Sequence, residues 1–157
     1  MMLPQKKFTP DQAFQKAKHY CAYQERCHSE VKEKLYSFGL YKKDVEEIIS
    51  KLIEENYLNE ERFALQFAGG KFRMKQWGKV KIKYELKQKQ VSEYSIKKAL
   101  AAIDNAAYSK TFYKLFEDKL KSLKGEKNIF TKKKKLQYYL MQKGFETDLI
   151  RGELNNI

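Results

Sequence analysis

The residue types able to do metal or nucleophilic chemistry gather in one place, at His19, Cys21, Cys27 and His28. Their spacing, H-x-C-x5-C-H, fits no zinc pattern. On a continuous helix Cys21 and His28 share a face and Cys27 does not, so the four do not converge. Free cysteines of this kind commonly behave as small buried hydrophobes. Glu54, Glu55, Glu60 and Glu61 put carboxylates close together, as paired acid–base work requires. They flank helix ends without a local partner, which reads as solvated surface. No G-x-x-x-x-G-K-[ST] phosphate loop and no nucleophile elbow occurs, and Gly69-Gly70 reads as a kink or helix break. The expectation is therefore a protein with no catalytic residue, no metal and no cofactor, and not an enzyme.

The chemistry left is charge. Lys plus Arg number 33 against 20 Asp plus Glu, a formal net charge of +13 over 157 residues. That balance calls for an acidic partner, nucleic acid or a protein–nucleic acid assembly. It is unevenly spread. Residues 42–62 carry net −3, whereas residues 71–89 carry net +7, from Lys71, Arg73, Lys75, Lys79, Lys81, Lys83, Lys87 and Lys89 against Glu85 alone. Residues 119–143 carry net +8 and include the run Lys132, Lys133, Lys134, Lys135. A lysine-rich helix face is usually just solvated; two dense segments on one small chain favour contact with phosphates or an acidic groove wall. Such contact weakens with salt through counterion release. Lysine is a point charge and seldom reads bases, so sequence-selective recognition is not expected. Trp77 lies within the first basic segment. It reads as core between helices, with stacking on a base as the other option.

Broad classes drop out on composition. No run approaches the ~18 apolar residues of a membrane span, and MMLPQKKFTP lacks the apolar core of a signal peptide. Two cysteines make no disulfide framework, and 14% aromatic residues argue against disorder. A cytoplasmic, globular, monomeric protein is expected, with no membrane partner.

The elements that must carry these cations are helices. Proline stops at Pro10 and glycine is sparse, leaving long stretches of helix formers. Thr9-Pro10-Asp11-Gln12 reads as a capping box, with Phe8 placed to staple onto Ala13. A second helix is expected from Ser29 to Gly39, with Leu40 folding back. Val45, Ile48, Ile49, Leu52 and Ile53 form the stripe of a third. Asn56 is a plausible stop and Asn59 a plausible restart. GKVKIKYEL alternates like a strand, but Ile82 and Leu86 at i, i+4 make it a helix.

The apolar pattern repeats. Val31, Leu35, Leu40, Val45 and Ile49 recur as Ile82, Leu86, Val91, Ile96 and Leu100, and again as Leu136, Leu140, Phe145, Ile150 and Leu154, at offsets of 51 and 54. The residue before the central apolar position is Gly39, Gln90 or Gly144. A longer apolar-striped stretch precedes each pair, at 13–26, 63–75 and 111–124. The fold expected is all-α, three tandem three-helix repeats, divided as an N-terminal extension at 1–10 and repeats at 11–58, 59–106 and 107–157. One such unit has little core of its own, so neighbours must share burial.

Taken in order, Ser29-Glu30-Val31-x-x-Lys34-Leu35 with Gly39, then Asn56-Tyr57-Leu58-Asn59-Glu60-Glu61-Arg62-Phe63-Ala64, then Gly78-x-x-Lys81-Ile82-x-x-Glu85-Leu86-x-x-Lys89, and finally Tyr139-Leu140-x-x-Lys143-Gly144-Phe145 resemble the RecX family, bacterial regulators of the RecA recombinase. Asn56 stands where that family usually has glycine, Gln90 where glycine follows Lys89, and Lys81 where arginine is usual. Asparagine accepts the left-handed backbone. Glutamine is less comfortable there, so the second turn is the one expected to differ.

The resemblance implies an elongated, curved array of three repeats that lies in the groove of the RecA–DNA filament. It implies a negative regulator that inhibits ATP hydrolysis, strand exchange and co-protease activity in DNA repair, recombination and the SOS response. The partners implied are the RecA filament and, weakly and non-specifically, single- or double-stranded DNA. The two basic segments are the candidate filament and DNA contacts. The alternatives are a helix-turn-helix-like DNA-binding protein with no recombinase partner, and an adaptor whose repeats bind another protein.

Overall fold

The computed structural model describes residues 7–157; residues 1–6, which make up most of the extension placed at 1–10, lie outside the described residues. Nine helices and no strand occur among the described residues. They are α1 (Pro10–Tyr23), α2 (His28–Ser37), α3 (Lys42–Glu54), α4 (Glu60–Lys75), α5 (Lys79–Gln88), α6 (Glu93–Ala101), α7 (Asn105–Ser122), α8 (Ile129–Lys143) and α9 (Thr147–Leu154).

Local chemistry sets most of these ends. The Thr9 hydroxyl accepts from the Gln12 amide at 3.2 Å and Gln12 Oε1 accepts from the Thr9 amide at 3.0 Å, so two orphan donors of α1 are satisfied reciprocally. Phe8 meets Phe38 edge-on at 5.1 Å, and its amide donates to the Phe38 carbonyl, fastening the start of α1 to the end of α2. α2 begins at His28 rather than Ser29. Cys27 takes the cap position and its amide donates to Glu30 Oε1 at 3.1 Å. The Ser29 hydroxyl is thereby free to bond outside the helix. α4 runs unbroken through Gly69-Gly70, contrary to the break expected there, and GKVKIKYEL is helical.

The three corner positions adopt one conformation. Gly39, Gln90 and Gly144 have φ of 83°, 63° and 93°. Gln90 donates to the Lys87 carbonyl at 2.9 Å and Val91 to the Leu86 carbonyl at 3.1 Å, the paired bonds of a left-handed helix stop. The second turn therefore does not differ, although its residue is not glycine. Asn56, at φ 63°, closes α3 in the same manner, with Tyr57 N bonded to the Leu52 carbonyl at 2.8 Å.

Every residue of the three apolar sets is buried except Leu100, which is partly buried. Two cores result. Ala13, Ala17, Cys21, Val31, Leu35, Val45, Ile48, Leu52 and Leu58 form one within α1–α3 and the turn that follows. The residues of α4 to α9 form a single continuous core, which Cys27 joins from the first module. The first module is thus better filled than its length suggested, while the second and third share their burial.

Candidate functional site

The cations are positioned by two joints of like construction. The first α5 amides land on the last carbonyls of α8: Gly78 N donates to Lys143 O at 2.7 Å and Val80 N to Gly144 O at 2.9 Å. The positive end of one helix meets the negative end of another, and orphan groups of both are satisfied. The approach needs both glycines. A Cβ on Gly78 would lie 2.3 Å from the Gly144 oxygen, and one on Gly144 would lie 2.1 Å from Lys81 Cβ. Beneath this contact Lys79 N donates to the Tyr108 hydroxyl at 2.9 Å, Tyr108 donates to Glu146, and Lys79 Nζ lies 4.9 Å from the Tyr108 ring centre. Burial, and then the Glu146 carboxylate, push the phenol far up, so it stays protonated as a donor.

The other joint reuses the plan. The offset that relates the first two apolar sets carries Cys27 onto Gly78, and the next carries Lys89 onto Lys143. At the corresponding place the Ser29 hydroxyl donates to Lys89 O at 2.8 Å. His28 occupies the position of Lys79, and Glu60 is the acid beside it. Glu60 is partly buried and has partners, where its place in the sequence suggested plain solvated surface: Ser95 Oγ donates to it at 2.7 Å, and Ser92 does likewise. Burial pushes the Glu60 carboxyl up, but the two hydroxyls more than reverse this and hold it below the usual range. Burial lowers His28, against the pull of Glu60.

Arg62 locks the same joint. Its guanidinium reaches Glu25, the Asn56 side chain at 3.2 Å and the Asn56 carbonyl at 3.0 Å. Asn59 caps α4 by accepting from Arg62 N at 2.9 Å. Leu58 is buried in the first core while Phe63 and Ala64 are buried in the other. The stretch from Asn56 to Ala64 is thus the fastening between modules.

The candidate cations separate into distinct groups. Lys71 and Lys81 lie 5.0 and 4.6 Å from the Trp77 ring centre, and Lys89 lies 5.8 Å from Phe67. Trp77 is half-buried against the core and edge-on to Phe67 at 6.4 Å. Lys143 Nζ donates to Lys75 O at 3.3 Å, and Lys81 Nζ to Gln142 O at 3.5 Å, so this group reaches the C-terminal end of α8. Lys83 and Lys87 flank Glu93, with Lys87 ion-paired to it at 3.1 Å. Arg73 folds back over Gly69, away from both. Lys132, Lys133, Lys134 and Lys135 occupy the first half of α8, with Lys135 paired to Glu126 at 3.2 Å. Their run lies about 15 Å along the helix axis from Lys143. α8 is the element that connects the two basic segments.

A feature the sequence reading missed lies between α7 and α8. Lys119, Phe130, Lys134, Tyr138 and Tyr139 line an open groove of about 640 Å³. Two aromatic residues eight apart, Phe130 and Tyr138, with Lys134 midway between them were the available signal. The thiols lie elsewhere: Cys21 and Cys27 are buried and unbridged, and burial pushes Cys21 up to about 11. No helix of the described residues is long and apolar enough to cross a membrane.

Known proteins share this fold. The model of the RecX second three-helix domain matches residues 59–100, and that of the RecX third three-helix domain matches residues 108–152. The regulatory protein RecX of Prosthecochloris aestuarii is 30% identical over 145 residues, covering 92% of this chain and 93% of that protein. That of Clostridium tetani is 33% identical over 129 residues, covering 82% of this chain and 59% of its own length. The crystal structure of RecX from Lactobacillus salivarius superposes with a TM-score of 0.81 at 26% identity, covering 94% of this chain and 97% of that one.

Proposed function

Because this chain belongs to the RecX family, whose regulatory proteins are not enzymes, we propose that it is a negative regulator of the RecA recombinase. It binds along the groove of the RecA–DNA filament and lowers ATP hydrolysis, strand exchange and co-protease activity. A bound regulator acts only through its differential affinity for the states of its target. The modules at 11–58, 59–106 and 107–157 span successive recombinase subunits, and the lysines of α5 and α8, with those at the end of α4, face DNA phosphates and acidic groove walls. The observation that supports this most is the bonding of α5 to α8, which holds cations from both basic segments along one connected path.

The test is co-sedimentation with RecA assembled on single-stranded DNA. The protein is expected to pellet with filaments, less so as salt rises, and not to pellet with RecA in the absence of DNA. Lys75→Glu with Lys83→Glu is expected to weaken pelleting without lowering the unfolding midpoint, because both side chains are exposed. Tight, sequence-selective duplex binding without any recombinase would instead favour the helix-turn-helix-like reading.

A further inference from the structure

We propose that the groove between α7 and α8 is a stacking site for single-stranded DNA, distinct from the joint that holds Trp77. Phe130, Lys134 and Tyr138 follow one another at four-residue steps on α8, so they share a face about 6 Å apart along the axis. Phe130 is 64% and Tyr138 68% exposed, large apolar rings held open to solvent. Burial in this chain's own core therefore does not account for them. Lys134 Nζ lies 4.7 Å from the Phe130 ring centre, and Lys119 Nζ, from α7 on the facing wall, lies 5.1 Å from the ring centre of Tyr139 on α8.

The occupant is set by two properties that must be met together. The surrounding segment from 119 to 143 is strongly positive, so the occupant is a polyanion. The floor offers exposed ring faces, so the occupant carries flat apolar groups it can lay against them. An acidic protein helix can supply negative charge but no regular succession of flat rings, and duplex DNA, whose bases are already stacked, supplies the charge only. Single-stranded DNA meets both, because every base has a π face and every nucleotide a phosphate. Phe130 and Tyr138 are about 12 Å apart along the helix, the span of three to four stacked nucleotides at ~3.4 Å each. Lys134 stands between them where a linking phosphate passes. Lys119 supplies a second cation from α7, and Lys135, which also lines the groove, is ion-paired to Glu126.

This inference needs no recombinase and stands or falls apart from the filament reading. The experiment measures fluorescence anisotropy of a labelled oligothymidylate, of an abasic strand of equal length and of a duplex, with the full chain alone. The wild type is expected to prefer oligothymidylate over both. Tyr138→Ala and Phe130→Ala are expected each to weaken oligothymidylate binding roughly tenfold while leaving the abasic strand unchanged, and Tyr138→Phe is expected to restore binding. Tyr94→Ala, an exposed ring on α6, is expected to change nothing. Equal losses on the abasic strand, a preference for duplex, or undiminished binding by both alanine variants would each overturn the assignment. Far-ultraviolet circular dichroism of each variant separates a lost contact from a lost fold.

Discussion

Gln90 holds a backbone conformation that costs a residue with a side chain about 1–2 kcal/mol, and it does so at an exposed corner. Its hydrogen bonds are made by the main chain, so nothing depends on the amide side chain. Gln90→Gly is therefore expected to stabilise the protein by about 1 kcal/mol, part of the relief being offset by the greater freedom of glycine when unfolded. Chemical denaturation checks this through the midpoint at constant slope; an unchanged or lower midpoint would show that the turn is not strained. Tyr108 is the opposite case. It is buried, accepts from Lys79 N and donates to Glu146. Tyr108→Phe preserves the ring and orphans both partners, for an expected loss of about 1–3 kcal/mol. A loss no larger than that of Tyr113→Phe on the exposed face of α7 would mean the hydroxyl contributes little.

At the scale of elements the two joints carry the architecture. Gly78 and Gly144 allow α5 to sit end-on against α8, and Gly78→Ala forces a Cβ into main chain that cannot yield cheaply. Overpacking of this kind costs about 1–3 kcal/mol, and the same variant at Gly70, where a Cβ meets open space, is expected to be neutral or stabilising. The other joint is expected to respond to pH. His28 is faced by Glu60 and Lys32, and its folded pKa lies below the ordinary value of about 6.5. The unfolded chain thus takes up a proton at a pH where the folded chain does not. The contribution of neutral His28 is complete above about pH 6.5 and is lost as pH falls through the folded value. Thermal midpoints of the wild type are expected to fall between pH 7 and 5.5 more steeply than those of His28→Gln. Parallel curves would remove His28 as the cause. Glu60, being lowered instead, keeps its contribution throughout that window and loses it only at lower pH.

At the scale of the molecule, the helices were legible because the pattern that builds them is periodic. The three apolar sets mapped onto core, and Thr9, Gly39, Asn56 and Asn59 marked ends through rules local to the chain. What was not legible depends on pairs distant in sequence. Nothing near Tyr108 points to Glu146, nothing near Arg62 points to Glu25, and nothing in Ser29 announces Lys89. The capping preference for serine over cysteine also misplaced the start of α2 by one residue, because Ser29 is used between modules. The basic segments were visible as charge, but charge does not say which face a lysine takes. Arg73 turns back onto its own helix, Lys79 enters a joint, and Lys87 and Lys135 pair with acids.

The proposed function requires a body of fastened helical modules that alters a recombinase filament without chemistry of its own. The most direct measurement titrates this protein into RecA from the same source on single-stranded DNA and follows ATP hydrolysis. Hydrolysis is expected to fall as the protein is added, with inhibition weakened by rising salt and by Lys75→Glu with Lys83→Glu. Hydrolysis and filament lifetime both unchanged at protein concentrations matching the recombinase would contradict it.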